Sequence, residues 1–199
     1  MSNPLQRTEE WFAERAGKIT ASEMSVIVNG TIKGWKSYMR RISSEQPGFD
    51  SAATAWGREQ EARAVAMYEL QRNLDVELLG FKLHPTIHYI GGSVDGLLPD
   101  RTLEIKCPYN PVNHISTLVT GMPKKHYPQV QSHMWICEKD KADFVSFDPR
   151  HPDPMLRLFI QTIPRDDHYI GRMERQCAKF WEMYTSFESE SSDEIPKLF

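Results

Sequence analysis

The sequence predicts an α/β domain in which a central mixed β-sheet is flanked by helices. Three observations predict it. Helical and strand patterns alternate as helices, strands, helix, strands, helix along 199 residues, an order that gives a sheet covered by helices. The stretch Ser93-Val94-Asp95-Gly96-Leu97-Leu98-Pro99-Asp100-Arg101-Thr102-Leu103-Glu104-Ile105-Lys106-Cys107 reads as two short strands joined by a Pro-Asp turn. Ala52 to Leu70 is alanine-rich and proline-free, with Trp56, Val65 and Tyr68 set among charges, and is the clearest helix. The length suits one domain over 1–199, with a core over 7–187 and an acidic, serine-rich tail over 188–199 that is expected to fray.

In order along the chain, Thr8 to Ala16 reads as a short helix carrying Trp11 and Phe12. Thr20 followed three residues later by Glu23 is a capping box, so a second helix is expected from Thr20, with Met24, Val26, Ile27 and Val28 turned inward. Ser22 then lies in its first turn, where free N–H groups favour an anion, and Arg15 lies across the Gly17 bend. Either this is a phosphate pocket or it is a capped surface helix beside an arginine. Residues 30–50 read as a short helix and a loop. In the 52–70 helix Glu61 is the candidate to face inward, and Glu59 is the solvated alternative.

Val76 to Leu83, His88 to Val94 and Arg101 to Cys107 read as successive strands of the sheet. Prolines at 108, 111 and 123 predict a long broken loop containing His114, followed by the basic cluster Lys124-Lys125-His126. Tyr127 to Cys137 is expected to be a helix with Pro128 in its first turn, and Gln131 and Trp135 share a face of it. Lys141 to Phe147 and Leu156 to Ile163 complete the sheet. Asp166 or Asp167 then caps a final helix through Phe187.

Composition narrows the function classes. No apolar run reaches membrane-spanning length and the N-terminus lacks a signal-peptide pattern, so no membrane partner is expected. The three cysteines, 107, 137 and 177, form no CxxC pair; this predicts a reducing, cytoplasmic setting and no four-cysteine zinc or iron–sulfur site. The net charge of −3 lowers the expectation of nucleic-acid binding without removing it, because an enzyme gripping DNA in a channel needs only a local basic surface.

The chemistry sits in the hairpin. Glu104 and Lys106 are two residues apart in an extended strand and share a face, and the hairpin return brings Asp95 beside them. Two carboxylates buried together need neutralising, and a divalent metal with oxygen ligands does so. A lysine beside that metal orients water and stabilises charge developing on phosphorus. Asp-x8-Glu-x-Lys is therefore a constellation for phosphodiester cleavage. The alternative is a solvated hairpin with a Glu104–Lys106 ion pair.

Five motifs in this order resemble a known family: Arg15-x-Gly17-x-x-Thr20-x-Ser22, Trp56-Gly57-x-x-x-Glu61, Ser93-x-Asp95-Gly96, Glu104-x-Lys106-Cys107-Pro108 and Gln129-x-Gln131-x-x-x-Trp135. Together they resemble the phage lambda exonuclease / YqaJ-type viral recombinase family of the PD-(D/E)xK nuclease superfamily, over residues 7–150. The resemblance implies a restriction-endonuclease-like core and a 5′-to-3′ exonuclease that cuts double-stranded DNA to 5′-mononucleotides and leaves a 3′ overhang. It implies Mg²⁺, two ions with Mn²⁺ as a substitute, held by Asp95, Glu104 and the Ile105 carbonyl, with Glu61 directly or through water. Lys106 would activate and position the attacking water, and Gln131 would orient Lys106 or that water. Arg15, Ser22 and Ser93 would hold a 5′-terminal phosphate. Here the loop after Lys106 has no arginine, so either His114 would replace the family's second phosphate-binding arginine or the dependence on the 5′-phosphate would be weaker. The implied partners are 5′-phosphorylated duplex DNA, two further copies in a ring-shaped homotrimer, and a phage single-strand annealing protein, in the cytoplasm of a bacterial host carrying the phage or prophage. Other readings are an endonuclease on the same fold and a non-catalytic DNA-end-binding module.

Overall fold

The computed structural model describes residues 6–43 and 51–193. Helix α1 (Glu9–Arg15) starts where the Thr8 hydroxyl accepts a 3.1 Å hydrogen bond from the Trp11 amide. The predicted capping box at Thr20 does not form. Ile19–Thr20 is instead strand β1, Ala21–Glu23 is a 3-10 turn, and helix α2 (Met24–Asn29) starts four residues later than expected. Both capping groups have other partners: Thr20 Oγ1 pairs with Ser22 Oγ at 3.2 Å, and Glu23 meets Arg41 at 2.6 Å. Helix α3 (Ile32–Ser43) follows; the loop expected beyond it, 44–50, lies outside the described residues. Helix α4 (Ala52–Arg72) is capped by Ser51, whose hydroxyl accepts from the Thr54 amide at 3.2 Å. It ends on Asn73 in the left-handed region.

The strands form two sheets, where one was expected. Strand β2 (Lys82–Leu83) and strand β3 (Ile90–Gly92) join β1 in the order β1-β3-β2, with β1 parallel to β3. Strand β4 (Gly96–Leu97) pairs antiparallel with β5 (Arg101–Lys106) across the Pro99-Asp100 turn, as the hairpin pattern predicts. Of the strand expected over 76–83 only its last two residues and a bridge from Glu77 to Leu97 form.

The segment 108–123 is not a broken loop. Pro111 takes the first position of helix α5 (Pro111–Thr120), where its missing N–H costs nothing, and Asn110 caps the helix by accepting from the Val112 amide at 3.0 Å. Helix α6 (Tyr127–Cys137) stands as predicted. Strands β6 (Lys141–Phe147) and β7 (Leu158–Pro164) complete a sheet of order β4-β5-β6-β7, with β5 parallel to β6 and β6 antiparallel to β7. Helix α7 (Asp167–Asp193) is capped by Asp166, whose Oδ1 accepts from the Tyr169 amide at 2.8 Å. The tail expected to fray continues α7 in its backbone to 193, and 194–199 lie outside the described residues.

The two faces of β5 have separate fates. Leu103 and Ile105 pack with Ala64 and Tyr68 of α4 and with Val145 and Phe147 of β6. Across the sheet, Val130 and Met134 of α6 pack with Ala142, Phe144 and Ile163. Helices α2, α3, α6 and α7 close a third cluster over β1 and β3 around Met24, Trp35, Met173 and Phe180. Asp143 of β6 pins these layers together. Fully buried, it accepts from Tyr68 Oη of α4 at 2.7 Å, from Arg101 of β5 at 3.0 Å and from Thr162 Oγ1 of β7 at 2.6 Å.

Candidate active site

Because side chains alternate along a strand, the register that buries Leu103 and Ile105 on one face sends Glu104 and Lys106 to the other. Asp95, immediately before β4, reaches across the hairpin and accepts a 2.6 Å hydrogen bond from the Ile105 amide, which ties its carboxylate to β5. Lys106 Nζ lies 2.5 Å from Glu104 Oε1, and His133 Nδ1 of α6 lies 3.0 Å from Glu104 Oε2. Glu104 and His133 are each 1% exposed, whereas a third of the Lys106 side chain faces solvent. Neither approach has hydrogen-bond geometry, so both Glu104 oxygens are buried without a hydrogen bond.

The electrostatics show a strained cluster. Burial raises the Asp95 pKa well above the usual carboxylate value, and the neighbouring Glu104 pushes the same way while Lys106 opposes. Burial acts on Glu104 likewise, but Lys106 and His133 outweigh it and hold the pKa down. The Lys106 ammonium would lose its proton more easily on burial, yet Glu104 and Asp95 overcome this and raise its pKa. Glu61 of α4 belongs to the same field: burial raises its pKa, Lys106 lowers it and Glu104 raises it. Its neighbour Glu59 is the exposed one.

Among the described residues no three His, Cys, Asp or Glu side chains are grouped ready-made around a metal position. The site nevertheless fits a hard cation. It offers two anchored carboxylates, one with both oxygens lacking hydrogen bonds, and a third carboxylate whose field they share. That donor set matches Mg²⁺, which uses one or two carboxylates and keeps several of its own waters.

Two candidates from the sequence are placed elsewhere. Gln131 does not face Lys106: its amide donates to the Pro164 carbonyl at 2.9 Å and accepts from the Asp166 amide at 2.9 Å, joining the end of β7 to α7. His114 is not a phosphate contact. It lies on the buried face of α5, 1% exposed, with Nδ1 2.8 Å from Ser146 Oγ and Nε2 2.8 Å from the Leu156 carbonyl, so both ring nitrogens are occupied.

Two histidines stand near the cluster instead: His133, which the sequence left unassigned, and His126, which it placed in a basic cluster. His126 stacks on Phe144, and its pKa falls to about 4, from burial first and then from Lys106 and Lys125 against the opposing Glu104. The glutamine on the helical face of His133 is Gln129, four residues earlier, not Gln131. The spacing Gln129-x-x-x-His133 was the available signal.

The residues expected to form a phosphate pocket lie at one end of the β1-β3 pair. Thr20 lies opposite Gly91 in parallel register, so Ser22 and Ser93, each two residues further on, leave the sheet at the same end. Arg15 reaches Ser93 Oγ at 3.5 Å, Trp11 Nε1 donates to the same oxygen at 2.9 Å, and the Arg15 guanidinium lies 4.2 Å from the Trp11 ring centroid. Ser22 is exposed. Burial lowers the Arg15 pKa from the ordinary arginine value, with Tyr38 and Glu23 opposing, and among the described residues no carboxylate forms an ion pair with it.

Comparison with known proteins bears on the family and the fold. Residues 10–140 match the YqaJ-like viral recombinase domain. The structure is similar to an alkaline exonuclease, LHK-Exo, from Laribacter hongkongensis, at 34% identity and a TM-score of 0.88, covering 96% of this chain and 100% of that one. The structure of LHK-Exo in complex with dAMP superposes with a TM-score of 0.89 at 35% identity, with the same coverage of 96% and 100%. A phage-related exonuclease from Haemophilus somnus shares the fold, with a TM-score of 0.72 at 19% identity over 87% of this chain and 96% of that one. An uncharacterised protein of Acanthamoeba polyphaga mimivirus is 24% identical over 158 residues, 70% of this chain; the chain spans 28% of that relative's length. With its matched residues running from α1 through α6 and including Asp95, Glu104 and Lys106, the chain belongs to the YqaJ-like viral recombinase domain family.

Proposed function

We propose that this protein is a Mg²⁺-dependent 5′-to-3′ exonuclease acting on double-stranded DNA ends, releasing 5′-mononucleotides and leaving a 3′ single strand for recombination by annealing. That it is a nuclease of the alkaline-exonuclease type follows from its family and from its relationship to LHK-Exo. The observation that carries the metal-dependent part of this reading is Glu104: a buried carboxylate without a hydrogen bond, set between Lys106 and His133 and beside a second carboxylate anchored to its own strand.

In this reading Asp95 and Glu104 would hold Mg²⁺, one ion or two, with the Ile105 carbonyl, and Glu61 would contribute directly or through water. Mn²⁺ would substitute. The chemistry supplied there would be polarisation of the phosphate and a water of lowered pKa. Lys106 stays protonated between Glu104 and Asp95, so it acts as a cation that positions the attacking water and stabilises charge developing on the phosphate. His126 remains uncharged near neutral pH and adds no competing cation. Arg15, which forms no ion pair with a carboxylate among the described residues, holds the 5′-terminal phosphate together with Ser93 and Ser22, a charge-assisted contact of the kind guanidinium groups make well. The dAMP of the LHK-Exo complex is a deoxynucleoside monophosphate, the class of product proposed here.

Assembly as a ring-shaped homotrimer, working beside a single-strand annealing protein encoded by the same phage or prophage, completes the reading. In support, Val112, Ile115 and Val119 form an exposed apolar face of α5, and Met155 and Leu156 are exposed on the turn against its buried side. Apolar faces of this kind favour burial in an assembly. Among the described residues no helix is long and apolar enough to cross a membrane.

The test is a Mg²⁺-dependent time course on linear 5′-phosphorylated duplex beside a closed circle of the same sequence. Linear DNA shortening from its 5′ ends, with the circle intact and EDTA stopping the reaction, is the expected result. Cutting of the circle identifies an endonuclease instead, and no change in either substrate identifies a binding module. In the same assay Arg15→Ala should lower the preference for 5′-phosphate over 5′-hydroxyl ends by about tenfold or more, the worth of a hydrogen bond between charged groups. An unaltered ratio removes Arg15 from the pocket.

A further inference from the structure

We propose that His133 is a positioning residue for the metal-binding carboxylate, its Nδ1–H turned to Glu104 Oε2 so as to fix the rotation of that carboxylate on β5. The inference rests on the metal-dependent reading above and adds a residue to it.

The geometry carries it. His133 and Glu104 are each 1% exposed and 3.0 Å apart, on different elements, α6 and β5. Nε2 of the ring is also buried and has no hydrogen-bond partner among the described residues, so Glu104 is the polar group the imidazole meets. A buried imidazole is costly beside an apolar side chain of equal volume, so a ring at this place that only filled space would be destabilising. An ionised carboxylate is acceptor-only, so the facing nitrogen carries the proton.

The backbone also makes room for the ring. A Cβ added at Gly92 of β3 would stand 3.1 Å from His133 Cδ2, 2.9 Å from Ala21 Cβ and 3.1 Å from Ile136 Cδ1. The imidazole thus lies between β5, which bears Glu104, and β3, which leads directly into Ser93 and Asp95. Partners that orient a metal-binding carboxylate commonly contribute 10–100-fold in metal affinity.

The test is a Mn²⁺ titration of the full chain without DNA, followed by loss of the free-ion electron paramagnetic resonance signal. Relative to wild type, His133→Leu should bind Mn²⁺ about 10–100-fold more weakly, whereas His133→Asn, whose amide N–H overlays Nδ1–H, should stay within about threefold. Equal affinity in wild type and His133→Leu overturns the proposal, and so does His133→Asn binding as weakly as His133→Leu. Should His133→Leu fail to fold by circular dichroism, His133→Gln replaces it. Its amide sits one bond further out, so weaker binding than His133→Asn supports the proposal and equal binding overturns it. Wild-type protein that binds no Mn²⁺ at all overturns the metal-dependent reading itself, a result distinct from a wild type that binds while His133 variants do not differ.

Discussion

Lys106→Ala is expected to reduce cleavage of linear duplex DNA by about 10²–10³-fold or more while leaving DNA binding nearly unchanged, the loss seen when one preorganised charge stabiliser is removed. Its ammonium is the cation that meets Glu104, at 2.5 Å, and a third of the side chain is open to an approaching phosphate. Because Glu104 and Asp95 raise the Lys106 pKa, the group is charged throughout the neutral range and needs no proton uptake to act. Single-turnover rates separate this loss from binding, and a gel-shift titration checks affinity for the DNA end. Turnover within a few-fold of wild type would remove Lys106 from the chemistry. The substitution also deprives a buried carboxylate of its cation, so the thermal midpoint should be measured with and without Mg²⁺. A metal bound at Glu104 is expected to restore part of any loss.

Asp143→Ala is expected to cost about 3–5 kcal/mol of stability, the range for leaving one partner of a buried ionic network uncompensated. Three donors from three elements converge on this carboxylate, and Arg72 adds a more distant charge at 3.8 Å. Removing it strands the buried Tyr68 hydroxyl between α4 and the sheet and leaves Arg101 with Asp100 alone. For a chain of this length the thermal midpoint should fall by about 6–20 °C. The same group sets an acid limit. Burial alone would raise the Asp143 pKa, but hydrogen bonds from Thr162, Tyr68 and Arg101 overcome it and hold the value below the ordinary one. A depressed folded-state pKa gives stability that is complete above the unfolded value of about 3.9 and is lost as pH falls through the lower folded value. Wild-type protein should therefore lose stability below about pH 4, and Asp143→Asn should lack that part of the slope. Melting curves from pH 3 to 7 measure both, and identical slopes would assign the acid sensitivity to other carboxylates.

The hairpin was legible because its information is local. Alternation places Glu104 and Lys106 on one face, Pro99-Asp100 turns the chain, and the return brings Asp95 to the β5 backbone. Helix α4 was legible from composition, and Ser51 and Asn73 mark its ends. The capping box at Thr20 misled because parallel pairing of β1 with β3 claims Thr20 for a strand, and tertiary pairing outweighs one cap. The prolines at 108–123 misled in the opposite direction: Pro111 begins a helix instead of breaking one.

Read without its fold, this chain reveals the groups that carry its proposed chemistry: two carboxylates and a lysine in a buried hairpin, with an arginine and serines, set apart in sequence, as candidates for an anion site. Which other side chains meet that cluster was decided only by the tertiary structure, and α6 shows why. Pro128 and every residue from Val130 to Cys137 are buried, so the helix has no solvent face and no periodicity that would tell an observer whether Gln129, Gln131 or His133 points at Glu104. Packing against β5, β6 and α7 at once makes that choice. It sends Gln131 to the end of β7 and brings His133 to the carboxylate.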